Sequence, residues 1–292
     1  MKSIAIIINA YSNLAHSLNQ SYRLKEEFCK LGVGADILRN GGRALIDGGG
    51  NVVSPLTGYD CCVYLDKDKY LSSMLERAGM RLFNSHSAVE ACDDKMTTFI
   101  ALAGSGIPVP ETIPAPLCYD ADAHPSAAML DFIEQRLGYP VVVKESYGSL
   151  GRGVHLAKDR AQLEALAERL KLTPHLFQQF MAKSAGRDIR AIVIGGRCVA
   201  AMERKNDGDF RSNIELGGKG SAVQLSDEVM HICERAAGLL GLDYCGIDVL
   251  EGDAPALCEV NSNAFFGGIE RVTGKNIAAL YARHICDAIY KQ

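Results

Sequence analysis

Residues 246–261 read GIDVLEGDAPALCEVN, and few folds accommodate that stretch. Two short apolar runs, 245–250 and 256–261, flank a turn rich in Gly, Asp and Pro, the pattern of a β-hairpin. With a four-residue loop at 252–255, Glu251 pairs with Ala256 and Asp248 falls opposite Glu259. Glu259 and Asn261 are two apart, so they share a face of the strand. Like charges directly opposite each other are unfavourable unless a cation sits between them. Hard oxygen donors suit Mg²⁺, which needs only one or two carboxylates beside substrate phosphates. On the hairpin alone, a solvated face of an antiparallel sheet explains the same residues. A register slip of one residue would send the two carboxylates to opposite faces.

The chain has 292 residues, enough for two or three domains. Its hydrophobic content of 48% and charged content of 23% are those of a soluble globular protein. A net charge of −4 without a basic cluster gives no electrostatic case for nucleic acid. The ten cysteines are scattered, with no CxxC pair, and Cys61, Cys62, Cys198, Cys245 and Cys258 sit inside apolar runs. Such cysteines behave as small buried hydrophobes. The apolar run at 4–8 is too short for a secretory signal, and no stretch approaches a membrane span. A cytoplasmic protein in a reducing compartment, without membrane contact, is therefore expected.

Strand and helix signals alternate through residues 1–90: strands at 3–9, 61–66 and 80–84, and helices at 17–31 and 69–78. This predicts a small parallel α/β domain. A hairpin is expected at 43–54 around Gly48-Gly49-Gly50; no Lys-Ser/Thr follows, so this is not a P-loop. A helix at 87–103 leads to a Pro-rich extended connection at 107–116. Next come a helix at 127–137, a strand at 140–144 with its partner at 153–157, and a helix at 161–170 with Asp159 as N-cap and Gln162 three residues on. Strands then dominate (176–181, 188–194, 197–204). Helices at 227–240 and 277–290, capped by Ser226 and Asn276, bracket the opening hairpin. The expected division is 1–90, 91–174 and 175–292, the last two segments α+β.

Two further constellations carry chemistry. Val141-Val142-Val143-Lys144 ends a buried strand just before a loop containing Gly148, Ser149, Gly151 and Gly153. Glycines let backbone N–H groups approach phosphates, and lysine supplies a point charge. A flexible turn beside a solvated lysine fits as well. Arg190, Arg204 and Arg211 fall on strand ends or adjacent loops, near Ser212, Asn213 and Gly217-Gly218. Guanidinium groups bind phosphate and carboxylate bidentately; surface pairing with Asp and Glu is the alternative.

In order, the chain carries DKMTT (94–98), IPVPET (107–112), PVVVK (140–144) with GSLGRGV, FQQFM (177–181), GRDIR (186–190) and VAAMER (199–204). GDFRSN (208–213), GIDVL, CEVNS and GGIERVTG complete the series. This ordered set closely resembles the ATP-grasp superfamily and, within it, the RimK-like carboxylate–amine ligases of α-L-glutamate ligase type. The resemblance covers residues from about 90 to 292; residues 1–90 fit, less specifically, the small α/β domain preceding the grasp fold.

The resemblance implies ATP between two α+β subdomains. Lys95 and Lys144 match nucleotide-binding lysines, and 148–153 matches the lid over the phosphates. Gln178, Gln179, Phe180 and Met181 match the adenine-reading segment, and Asp188 the ribose side. Arg211, Ser212 and Asn213 match a segment near the phosphates. Asp248, Glu259 and Asn261 match Mg²⁺ ligands, two ions being implied, with Mn²⁺ as a substitute. The family reaction activates a carboxylate as an acyl phosphate, releases ADP, and lets an amine displace phosphate. Arg190, Arg204 and Arg211 would stabilise the transferring group, which requires positioning and charge neutralisation more than covalent help. The implied partners are an amino acid or peptide, and a protein, carrier or small-molecule acceptor. Similar ligases are frequently homo-oligomers. Against this stand a catalytically silent nucleotide-binding regulator and a phosphotransferase on the same fold. The family often continues after Glu-Val-Asn with Pro-Gly; here Ser262-Asn263-Ala264-Phe265-Phe266 follows. Phe265 and Phe266 either pack under the last helix or reshape the substrate pocket.

Overall fold

A computed structural model describes residues 2–290; Met1 and residues 291–292, the ends of the expected first and third segments, lie outside the described residues. The first sheet is parallel, ordered β2-β1-β5-β6, from β1 (Ser3–Ile8), β2 (Gly34–Arg39), β5 (Cys61–Leu65) and β6 (Leu82–Phe83). Helices α1 (Ala15–Lys30) and α2 (Lys69–Arg77) connect its strands. β3 (Leu45–Ile46) and β4 (Val52–Val53) form the expected hairpin across the triple glycine. Strand β2 was not foreseen. It is an edge strand with a single fully buried residue, Ala35, so its pattern is weak.

The helix expected over 87–103 is two helices, α3 (His86–Asp93) and α4 (Lys95–Leu102). Asp94 breaks it by accepting hydrogen bonds from the Met96 and Thr97 N–H groups at 2.7 and 3.2 Å, an N-cap in mid-run. The break places Lys95 at the first position of α4, where its N–H donates to the Ser146 carbonyl at 3.0 Å.

The second sheet is antiparallel, ordered β7-β10-β8-β9: β7 (Thr112–Pro114), β8 (Val141–Glu145), β9 (Val154–Ala157) and β10 (His175–Gln179). Its Val141, Val143 and Phe177 face pack under α5 (Ala127–Leu137) and α6 (Arg160–Leu170). Asp159 caps α6 as expected, accepting from the Gln162 N–H at 2.9 Å, while the Gln162 side-chain oxygen accepts from the Lys158 N–H, one residue before the cap, at 3.0 Å. Strand alternation turns Val142, Lys144 and Gln178 to the opposite face.

The third sheet, ordered β13-β12-β11-β14-β15, comprises β11 (Arg187–Ile194), β12 (Arg197–Lys205), β13 (Lys219–Ala222), β14 (Tyr244–Leu250) and β15 (Ala256–Asn261). Helix α7 (Asp227–Leu239) buries one face through Ile232, Cys233 and Ala236 against Val193, Ile247 and Val249. On the other face Ile192, Met202 and Tyr244 join α8 (Gly267–Thr273), α9 (Ile277–Tyr290) and the first sheet in one core. Among the described residues no cysteine forms a disulfide, and no helix is long and apolar enough to cross a membrane.

The β14–β15 loop is one residue longer than the sequence suggested, because Leu250, not Glu251, pairs with Ala256. A bulge at Cys258 restores the register, so Asp248 does lie opposite Glu259.

Candidate active site

Cross-strand pairing assembles one charged face of the third sheet. Asp188 lies opposite Arg204, Arg190 opposite Asp248, and Asp248 opposite Glu259. Met202, Gly246 and Asn261 belong to the same face, since alternate residues along a strand point the same way. Asp248 is buried, and both its oxygens are held. Arg190 grips it through Nε and Nη2, the latter at 2.6 Å from Oδ2, and Arg204 Nη2 lies 2.9 Å from Oδ2. Arg204, only 4% exposed, also forms a bidentate pair with Asp188 at 2.7 and 2.5 Å. The Ser212 hydroxyl donates to Asp188 at 2.6 Å. Burial pushes the Asp248 carboxyl up, but the Arg190 and Arg204 guanidiniums outweigh this and hold it down at about 2. Both arginines are held above their ordinary range by the same carboxylates.

Two lysines approach from the opposite side. Lys144 projects from β8 and donates to Cys258 Sγ at 3.4 Å. Lys95 donates to the Gly148 carbonyl at 3.3 Å and lies 3.8 Å from Glu259. Burial, with Lys144 nearby, pulls the Lys95 ammonium below its ordinary value, although Glu259 opposes the shift.

A cleft opens between the second and third sheets. Lys95, Lys144 and the loop residues Gly148, Ser149 and Gly151 line it on one side, and Gln178, Gln179, Phe180 and Met181 close one end. Asp188, Arg204, Arg211, Ser212, Asn213, Asp248 and Glu259 form the far wall. Of the residues singled out in the sequence, Gly153, Arg190 and Asn261 stand outside this cleft. Gly153 packs behind the loop, where an added Cβ would meet Glu145 at 2.7 Å. Arg190 and Asn261 line a second cavity of about 590 Å³. The two cavities meet, because Ser149, Arg204, Asn213 and Glu259 line both.

The glycine loop is docked onto the 209–216 segment. Arg211 Nη1 donates to the Gly151 carbonyl at 2.9 Å, while Asp209 holds the other edge of the guanidinium at 2.7 Å. Gly151 has φ +73°, and a Cβ there would sit 2.7 Å from Asn213 Oδ1, so only glycine permits this approach. The Gln178 side chain donates to the Thr112 hydroxyl at 2.9 Å.

Phe265 and Phe266 both line the second cavity. Phe266 is buried against Tyr244, and Phe265 meets the His16 ring edge-on, 4.3 Å between centroids. Sequence reasoning missed the α1 wall of that cavity, His16, Gln20 and Arg23, which follows helical spacing on one face. Their polarity on an inward stripe was the available signal.

A family model described as RimK-like ATP-grasp domain matches residues 92–285. Beta-citrylglutamate synthase B of Danio rerio is 35% identical over 224 residues, covering 75% of this chain and 54% of that protein. N-acetylaspartylglutamate synthase A of Homo sapiens is 33% identical over 224 residues, covering 75% and 56%. A probable alpha-L-glutamate ligase of Syntrophotalea carbinolica is 38% identical over 206 residues, covering 69% and 66%. The chain thus spans about half the length of the first two relatives. Among solved structures, a RimK domain ATP-grasp protein from Sphaerobacter thermophilus superposes with TM-score 0.71 at 20% identity, covering 97% of this chain and 98% of that one. D-alanine–D-alanine ligase from Bacillus anthracis superposes with TM-score 0.74 at 16% identity, covering 100% and 97%.

Proposed function

This chain belongs to the RimK-like ATP-grasp family, and from that premise we propose that it is an ATP- and Mg²⁺-dependent ligase joining a carboxylate to an amine through an acyl phosphate. The observation that carries the reading is the junction of the two cavities at Ser149, Arg204, Asn213 and Glu259. One cavity has the lysines and glycine loop of a phosphate site; the other, of about 590 Å³, lies within the roughly 300–1,000 Å³ of small-molecule sites. A transferring phosphoryl group would sit where they meet.

In the reaction, a carboxylate oxygen of the substrate attacks the γ-phosphorus of ATP, and the bond to the bridging β,γ-oxygen breaks to release ADP. The amine nitrogen then attacks the acyl carbon and phosphate departs; the proton lost from nitrogen passes to solvent or phosphate. Lys144 and Lys95 would hold the phosphates, and the 148–153 loop would exclude water from the acyl phosphate. Arg190 and Arg211 would balance charge on the transferring group. Arg204, enclosed between Asp188 and Asp248, would act as a positioning residue for both carboxylates.

The donor set Asp248, Glu259 and Asn261 fits Mg²⁺, because all three offer hard oxygens on one sheet face. Asp248 accepts one arginine contact at Oδ1 and two at Oδ2, so Oδ1 keeps a lone pair for a cation while both arginines stay paired. Bound Mg²⁺ supplies charge neutralisation across the β- and γ-phosphates; a second ion, or Mn²⁺, would use the same donors.

Glutamate appears in the names of the three relatives above, and we take it as the amine substrate. The carboxylate substrate belongs to a small molecule, peptide, carrier or protein. We also propose the division 1–90, 91–174 and 175–292, in which the third segment lends its first strand, β10, to the middle sheet. The test is a screen of carboxylates with ATP, Mg²⁺ and glutamate. ADP and phosphate should appear only when carboxylate and amine are both present, with a mass increase matching the amide. ATP hydrolysis indifferent to both substrates, or transfer of phosphate to a stable product, would contradict it.

A further inference from the structure

Buried polar atoms are nearly always hydrogen-bonded, so each exception calls for a cause. Most of the exceptions among the described residues gather in two facing segments. His16 Nε2 and Gln20 Oε1 lie on α1; Asn261 Nδ2, Ser262 Oγ and Asn263 Oδ1 lie in the segment after β15. His16, Gln20, Asn261 and Asn263 line the second cavity. Gln20 is only 3% exposed, and its orientation is fixed. Its Nε2 donates to the Ala264 carbonyl at 3.3 Å, a group that also accepts from the Tyr244 hydroxyl at 2.7 Å. The nitrogen must face that carbonyl, so the oxygen is the atom left without a donor.

The cavity's cations separate in the same way. Arg190 and Arg204 are spent on Asp248, Lys67 lies 3.5 Å from Asp93, and Arg23 lies 3.5 Å from Glu270. Arg271, on α8, has neither an ion pair nor a hydrogen bond among the described residues, and it lines the same cavity.

We propose that this cavity binds the amine substrate as a free amino acid, with its amino group against Gln20 Oε1 and a carboxylate at Arg271. This rests on the ligase reading above. The unpaired amide oxygen asks for an N–H donor, and the unpaired guanidinium asks for an anion. A neutral amide is also the fitting acceptor for a nucleophile. A carboxylate in its place would stabilise the ammonium form and withhold the lone pair, whereas an amide orients the nitrogen without adding a charge. Glu259 and Asn261, lining the same cavity, bring the amine to the junction where the acyl phosphate forms.

The test uses the full chain with ATP, Mg²⁺, L-glutamate and the carboxylate that the screen above identifies, in the variants Gln20→Leu, Gln20→Glu and Arg271→Gln. Gln20→Leu and Arg271→Gln should each raise KM for glutamate at least tenfold with KM for ATP unchanged; the constant ATP value also reports an intact fold. Gln20→Glu should move the acidic limb of the kcat profile at saturating glutamate upward by about one pH unit or more, because a carboxylate raises the pKa of the bound amine. Wild-type protein is assayed in parallel with hydroxylamine in place of glutamate. Hydroxamate formation by the wild type, combined with unchanged glutamate KM and pH profile in all three variants, overturns the amine-site proposal alone. Absence of the hydroxamate overturns the ligase reading and this proposal together.

Discussion

Arg190 and Asp248, opposite each other on neighbouring strands, form a bidentate pair in which Nη2 lies 2.6 Å from Oδ2. Asp248 therefore serves two ends, neutralising buried arginines and facing the cleft proposed to hold the phosphates. Asp248→Asn leaves Arg190 and Arg204 short of a counter-charge, and breaking such a buried network costs about 3–5 kcal/mol. Glu259, with 27% of its side chain exposed and only Lys95 at 3.8 Å as an ionic partner, is free of that duty. Glu259→Gln should leave stability within about 0.5 kcal/mol of wild type, yet reduce ADP formation at least ~100-fold through the lost metal ligand. Urea denaturation and ADP release measure the two effects. Equal stability losses in both variants would contradict this division of roles.

Lys144 lines the cleft, and among the described residues its ammonium donates to the Cys258 thiol. Lys144→Met should weaken ATP affinity roughly 10- to 100-fold, the range for loss of a charge-assisted hydrogen bond. Calorimetric titration with a non-hydrolysable ATP analogue reads this directly, and unchanged affinity would remove Lys144 from the phosphate site.

Lys95 gives a pH dependence with a defined sign. Its folded-state pKa is lowered, chiefly by burial, from an ordinary value of 10.5. Between the lowered value and 10.5 the unfolded chain binds the extra proton, so this group's contribution to stability rises with pH across that window. Nucleotide affinity requires the charged form and should fall across the same window. Affinity measured from pH 7 to 10 should decline in wild type and remain flat in Lys95→Arg; a parallel decline in both would assign the titration elsewhere.

The glycine loop at 148–153, proposed as the lid, is held by Arg211, which donates to the Gly151 carbonyl at 2.9 Å. Exposed Arg152 offers trypsin a cleavage site within the same loop. ATP and Mg²⁺ should slow cleavage after Arg152, and Arg211→Met should accelerate it in the absence of nucleotide. Identical rates under all three conditions would show that the loop neither closes nor depends on Arg211.

The hairpin that carries Asp248 and Glu259 was legible because the strand period is two and the turn chemistry is local. The compensating bulge at Cys258 was not, since a bulge depends on how the partner strand and Lys144 pack around it. Asp94 illustrates a local signal outweighed by a longer pattern: helical spacing spans 87–103, yet one capping carboxylate divides it and sets Lys95 into the cleft. The three arginines could be identified but not assigned. Arg204 lies between Asp188 and Asp248, residues 16 and 44 positions away, and only sheet register brings them together. The α1 wall was beyond reach for the same reason: Gln20 meets Ala264 across 244 residues of chain.

A substrate carboxylate oxygen that attacks the γ-phosphorus of ATP where the two cavities meet, at Ser149, Arg204, Asn213 and Glu259, leaves with the phosphate. The most direct measurement starts from a carboxylate substrate labelled with ¹⁸O in both oxygens and analyses the phosphate released on reaction with ATP, Mg²⁺ and glutamate. The account predicts one ¹⁸O per inorganic phosphate, with ADP as the nucleotide product. Unlabelled phosphate, or AMP and pyrophosphate in place of ADP and phosphate, would contradict it.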